Sequence, residues 1–132
     1  MDLKILEIAS HTNNNKVLNG ATHYSKNKNT TCGDEMEISL IVKDKVIEDI
    51  GYQCNSCIYC QASVSLLSRK IKGKKIDEIK SFVDNAEKMF DDVKSGLNKH
   101  WNDFIELLNK NNISRKECLL LPLRTVLKAL KL

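Results

Sequence analysis

Long apolar runs are missing from this sequence. No stretch comes near the roughly 20 consecutive apolar residues that a membrane-spanning helix needs. Proline and glycine are scarce, at one and five among 132 residues, which argues against long disordered linkers. A dense basic stripe is lacking too. The net charge of +4 comes from 21 Lys and Arg set against 17 Asp and Glu. These charges interleave along the chain and read as solvated surface, not as a nucleic-acid footprint. The N-terminal MDLKILEIASH carries Asp2 and Glu7 inside a broken apolar run. It does not read as a secretory signal, so the expected location is the cytoplasm, with no membrane partner. His11, His23 and His100 stand alone in the sequence and are read as surface or core residues.

What the chain does have is cysteine. Cys54, Cys57 and Cys60 recur at intervals of three in GYQCNSCIYCQAS, with Cys32 and Cys118 far away on either side. Thiols stay reduced in the cytoplasm, and an odd number cannot all pair. A cluster there points to metal binding or sulfur chemistry before disulfides.

The apolar pattern describes one domain over residues 1–132 with an α+β fold, a small antiparallel sheet backed by helices. Leu3, Ile5, Leu6 and Ala9 suit a short N-terminal helix. Residues 11–31 read as loop with an edge strand near Ala21–Lys26. Met36, Ile38, Leu40 and Val42 alternate with polar residues, and VIEDIGYQ follows across a turn at KDK, predicting a hairpin. From Ser56 the spacing of Cys57, Cys60, Val64, Leu67 and Ile71 predicts a helix that Gly73 ends. The stripe Ile76, Ile79, Val83, Ala86, Phe90, Val93, Leu97, Trp101, Phe104 and Leu108 predicts one long helical region, with Ser95–Gly96 as its break. That stripe reads as packing first, and Trp101 and Phe104 mark where a docking face would lie. Asn109–Asn112 reads as loop. Ser114 with Glu117 three residues on has capping-box spacing for a last helix, with Pro122 near its start, where proline is tolerated.

On this map Cys32, Cys57 and Cys118 all fall at the ends of elements. Loops and helix starts are where ligands converge from distant parts of a chain, and helix N-termini favour the thiolate. Gly33 permits a turn that could aim Cys32 and Asp34 at a common point. Each cysteine taken singly could equally pack as a small hydrophobe. The triplet could be half of a structural zinc site, although no second Cys-x2-Cys follows at finger spacing. It could also be a redox dithiol, although the strand–motif–helix setting with a parallel sheet is absent.

The stretch from Thr30 to Ile79 resembles the NifU N-terminal-like iron–sulfur assembly proteins, the IscU and SufU group. The matching marks are Cys32-Gly33-Asp34 before a strand, VIEDIGYQ as the next strand, Cys57 five residues ahead of Ala62-Ser63, Gly73-Lys74, and a third cysteine leading the last helix in CLLLPLRTVLKAL. The resemblance covers about half of the chain. It implies the IscU/NifU fold, with a helical insertion before the last helix as in SufU-like members. It also implies Cys32, Asp34, Cys57 and Cys118 as the ligands of a transient 2Fe–2S cluster or of zinc. Three marks differ. Glu117 stands where IscU-type members have histidine, Thr31 replaces the usual proline, and the Leu-Pro-Pro-Val-Lys chaperone motif is missing. The lean is therefore toward SufU-like or NifU-like members.

The implied role is a scaffold and sulfur acceptor, more a carrier than an enzyme. It would take sulfur from a cysteine desulfurase and pass clusters to recipient apo-proteins. Cys32 and Cys118 are the acceptor candidates, and Cys60 is a possible auxiliary ligand or relay. The alternatives are a zinc-dependent sulfurtransferase with no scaffold role, a structural zinc interaction module, and a thiol oxidoreductase using Cys54–Cys57 or Cys57–Cys60.

Overall fold

A computed structural model describes residues 3–30, 33–91 and 99–131. Three antiparallel strands form one sheet in the order β1 (His23–Lys28), β2 (Glu35–Lys43), β3 (Val46–Asn55). Alternation in β2 sends Met36, Ile38 and Leu40 inward, each fully buried, and leaves Glu35, Glu37 and Ser39 on the outer face. In β3 a register shift opposite Ile41 and Val42 inserts one extra residue. This bulge lets Ile47 and Ile50 both face the core despite their odd spacing. Asp44 and Lys45 turn the hairpin with φ of 53° and 62°, the left-handed pair that a two-residue hairpin turn requires. The turn is sewn to the segment ahead of α3. The Ile76 amide donates to Lys45 O at 2.9 Å and the Ile47 amide to Lys74 O at 3.0 Å.

The helices cover the inner face of the sheet. α1 (Leu3–Ala9) packs on α2 (Ile58–Ile71), α2 on β3, and α4 (Lys116–Leu130) on α2, β1 and β2. α2 is the central helix, and its small residues make the seams. Ser63 Oγ donates to Leu119 O at 2.6 Å, tying α2 to α4, and Ser65 Oγ donates to Ile8 O at 2.9 Å, tying α2 to α1. The edge strand β1 is polar, and Lys128 Nζ of α4 donates to Lys26 O at 2.9 Å. Among the described residues no helix is long and apolar enough to cross a membrane.

Gly51 is buried where the loop after α1 crosses β3. A Cβ there would lie 2.6 Å from Lys16 O and 3.3 Å from Leu18 Cβ. Gly51→Ala is therefore expected to cost about 1–3 kcal/mol by forcing that backbone away, read as an earlier midpoint in urea with the slope unchanged.

The insertion departs from the expected long helix. α3 (Ile76–Ala86) stops at Ala86 and is followed by 3₁₀ turns at Glu87–Asp91, Lys99–Glu106 and Lys110–Arg115. The expected break at Ser95–Gly96, with Val93 and Leu97, lies outside the described residues. The reason is visible in the spacing. Trp101, Phe104 and Leu107 recur at exact threes, which suits three residues per turn as well as it suits an α-helix. Trp101 stacks on Phe82 with centroids 4.3 Å apart and planes 6° off parallel, and Phe104 lies 4.8 Å from Phe82. Both are buried, so they belong to the core and offer no docking face.

Two local expectations also change. Of the expected loop Asn109–Asn112, only Asn109 precedes the 3₁₀ turn Lys110–Arg115, and its side chain caps the start of that turn by accepting from the Asn111 amide at 3.0 Å. Ser114 lies inside that turn and does not cap α4, which begins at Lys116 after Arg115. The turn runs straight into α4, and the Lys116 amide already donates to Ile113 O. Glu117 pairs instead with Arg124, whose other arm binds Glu87 at 2.6 Å. Pro122 sits inside α4, where it has no N–H to give the Cys118 carbonyl one turn back.

Candidate metal centre

The site lies at the end of the sheet away from the hairpin turn. Between β1 and β2, backbone hydrogen bonds tie the described residues on either side of the connection. The Asn29 amide donates to Asp34 O at 2.8 Å and the Gly33 amide to Asn29 O at 2.7 Å. Gly33 has φ of +78°, a conformation that a side chain disfavours. Cys32, expected from the sequence as a ligand, lies outside the described residues.

Asp34 stands just before β2 and is 5% exposed. Its Oδ1 accepts the Cys57 amide at 3.1 Å. Cys57 is the N-cap of α2, with φ of −70° and ψ of 167°. A carboxylate at that point serves an amide that the helix itself leaves unsatisfied, and it meets the positive end of the dipole. Cys118, also buried, is in the first turn of α4. One ligand atom from each of Asp34, Cys57 and Cys118 lies within 4.8 Å of the other two. Three elements far apart in sequence thus deliver two sulfurs and one oxygen to one point.

The donor set fits a borderline-soft cation. In a tetrahedral site with metal–sulfur bonds of about 2.3 Å, neighbouring sulfurs lie about 3.8 Å apart, so the three donors need only a small closure. Asp34 Oδ2 is buried and has no hydrogen-bond partner. A buried carboxylate oxygen left without a donor is costly, and a cation among the thiols removes that cost. Zinc and the irons of a cluster both accept this mixture of sulfur and oxygen.

Cys54 and Cys60 stand outside the group of three. Cys60 is fully buried in the core on the first turn of α2, and burial pushes its thiol pKa far up. Cys54 is half-buried near the end of β3, opposite Met36, and burial raises its pKa too. His11, His23 and His100 take no part in the group. His100 instead meets Lys70 O at 2.6 Å and the edge of Trp101.

Two features escaped the sequence. Asp34 binds the Cys57 amide as well as facing the thiols, a pairing across 23 residues that no local pattern announces. Arg115 lies with its guanidinium carbon 5.3 Å from the centroid of the Tyr59 ring. This cation–π contact joins the first turn of α2 to the residue leading into α4.

Comparison with known proteins gives a consistent picture. Residues 2–107 match the family described as NifU-like N terminal domain. The chain is 34% identical over 127 residues to the iron–sulfur cluster assembly scaffold protein IscU of Thermotoga maritima, covering 96% of this chain and 89% of that one. It is 30% identical over 103 residues to the zinc-dependent sulfurtransferase SufU of Bacillus subtilis, covering 78% of this chain and 65% of the relative. The crystal structure of the N-terminal part of a NifU-like protein from Brucella abortus superimposes with a TM-score of 0.87 at 21% identity, over 98% of this chain and 91% of that one.

Proposed function

This chain belongs to the NifU-like N-terminal domain family, and from that premise we propose that it is an iron–sulfur cluster assembly scaffold that also accepts sulfur. Residues 1–132 act as one unit, with α1 to α4 sharing one core. The observation that carries the reading is the meeting of Asp34, Cys57 and Cys118 donors within 4.8 Å. Cys32, two residues ahead of Asp34, supplies the third thiolate from the adjoining loop, and Cys60 is an auxiliary thiol at most. The names of the Thermotoga and Bacillus relatives support the two halves of the reading, scaffold and sulfur acceptor.

The cargo is a 2Fe–2S cluster, and zinc is the ion the same donors would hold between cargoes, where its charge keeps the thiols deprotonated. The protein's own part is chemical positioning. A cysteine desulfurase presents a persulfide, and a thiolate of the site attacks its outer sulfur. The old S–S bond breaks, the desulfurase cysteine leaves as a thiolate, and a new persulfide stands on this chain. Cys32 and Cys118 are the thiols placed for that attack. One oxygen among the sulfurs binds iron less tightly than a fourth thiolate would, which suits a cargo that must leave for a recipient apo-protein. The cytoplasm is the compartment that fits such thiol chemistry.

The test is anaerobic reconstitution with ferrous iron, cysteine, a desulfurase and a dithiol reductant such as dithiothreitol, which supplies the electrons that turn persulfide sulfur into sulfide. The expected result is a chromophore with iron and sulfide in equal amounts, lost in Cys57→Ser. A second reading, zinc-dependent sulfur transfer without a scaffold role, is favoured by the Bacillus relative. It predicts that the zinc-loaded protein stimulates the desulfurase and takes up no cluster. Uptake of zinc with neither cluster nor stimulation would overturn both.

A further inference from the structure

Arg115 and Tyr59 meet across the two helices that carry Cys57 and Cys118. Cys57 caps α2, and Tyr59 follows in its first turn. Arg115 is the N-cap of α4, three residues ahead of Cys118. The Arg115 guanidinium carbon lies 5.3 Å from the centroid of the Tyr59 ring, inside the distance at which a cation and an aromatic face attract. Tyr59 is half-buried against the core, and Arg115 is exposed.

A second tie joins the same helices deeper in the fold. Ser63 Oγ donates to Leu119 O at 2.6 Å. Tyr59 and Ser63 are four residues apart on α2, and Arg115 and Leu119 are four apart at the start of α4. The two contacts are therefore rungs of one ladder, about one helical turn from each other. Cys118 falls between the rungs on α4, and Cys57 falls beyond the outer rung on α2. The inner rung alone leaves both sulfur-bearing ends free to splay, and the outer rung closes them.

Pairing with acids does not explain where the Arg115 side chain lies. Glu87 and Glu117 are both bound by Arg124, and among the described residues Arg115 pairs with no carboxylate. It makes no side-chain capping hydrogen bond either. We infer that Arg115 is a positioning residue for the metal centre. Through its contact with Tyr59 it holds the starts of α2 and α4 at the separation at which Asp34, Cys57 and Cys118 can share one ion. The inference deepens the metal-centre reading above and rests on it. Two sulfurs already held at ligand spacing bind without first being brought together, and the gain is limited to the strength of the contact that holds them.

Zinc affinity is measured by competition with a coloured chelator, well below the melting temperature. A thermal melt of the metal-free protein checks the fold. Arg115→Ala is expected to weaken zinc binding about two- to fivefold, the range that an exposed cation–π contact can supply. Tyr59→Leu keeps the charge at residue 115 but removes the aromatic face, and it gives the same loss. Tyr59→Phe keeps the face and stays at the wild-type affinity. When Arg115→Ala and Tyr59→Leu are combined the losses do not multiply, because a single contact has been removed. The inference is overturned if Arg115→Ala or Tyr59→Leu leaves the affinity unchanged, if Tyr59→Phe falls as far as Tyr59→Leu, or if the combined loss is the product of the two. Arg115 is exposed, so its variant decides the matter even where Tyr59→Leu fails to fold. A wild type that takes up no zinc overturns the metal centre along with this inference, an outcome distinct from all of these.

Discussion

Cys118→Ser is expected to lower zinc affinity by about a hundredfold or more while leaving the fold intact. Loss of an outer-shell partner already costs about 10- to 100-fold in metal affinity, and here a donor itself is weakened from thiolate to hydroxyl. Serine is close to cysteine in size, so the first turn of α4 keeps its packing. The rest of α4 is held by Leu119, Leu120, Leu123 and Val126, all at most 2% exposed, and by the Ser63 bond to Leu119 O. Competition against a coloured chelator measures the affinity, and a thermal melt of the metal-free variant measures the fold. If removing zinc or Cys118 unfolds the chain, the ion is structural, and the scaffold reading gives way to a zinc interaction module.

Phe104→Ala is expected to produce the opposite pattern, with a large loss of stability and an intact site. Phe104 is fully buried against Phe82 and Trp101. Truncation of a buried phenylalanine costs about 3–5 kcal/mol, which in a domain of this size lowers the melting temperature by about 10–20 °C. None of the three donors packs in this aromatic group. Zinc affinity measured well below the melting point should therefore stay within about threefold of the wild type. A parallel fall in affinity would mean that the insertion positions the centre as well as stabilising the fold.

The two variants divide the molecule along the line where the sequence was readable. Strict alternation at Met36, Ile38 and Leu40 announces β2, because a regular strand in a sheet with one wet face turns alternate residues inward. The change to spacings of three and four after Ser56 announces α2. The insertion was misread because Trp101, Phe104 and Leu107 satisfy α and 3₁₀ periods equally over so short a length. The start of α4 was misread because a preceding 3₁₀ turn does the work expected of Ser114. At the centre, the cysteine spacing and the resemblance together brought Asp34, Cys57 and Cys118 forward, and the structure gathers them. The bond from the Cys57 amide to Asp34, and the half-exposed setting of Cys54 against the sealed setting of Cys60, depend on tertiary distances that no spacing rule carries.

The stitching at the hairpin turn has a consequence for how the protein can work. The amides of Ile47 and Ile76 fasten β2 and β3 to the segment entering α3 at one pole of the molecule. The donors gather at the other pole, each at the tip of its strand or helix. Loading and discharge then become tip events, in which a carrier changes its burden without loosening its frame.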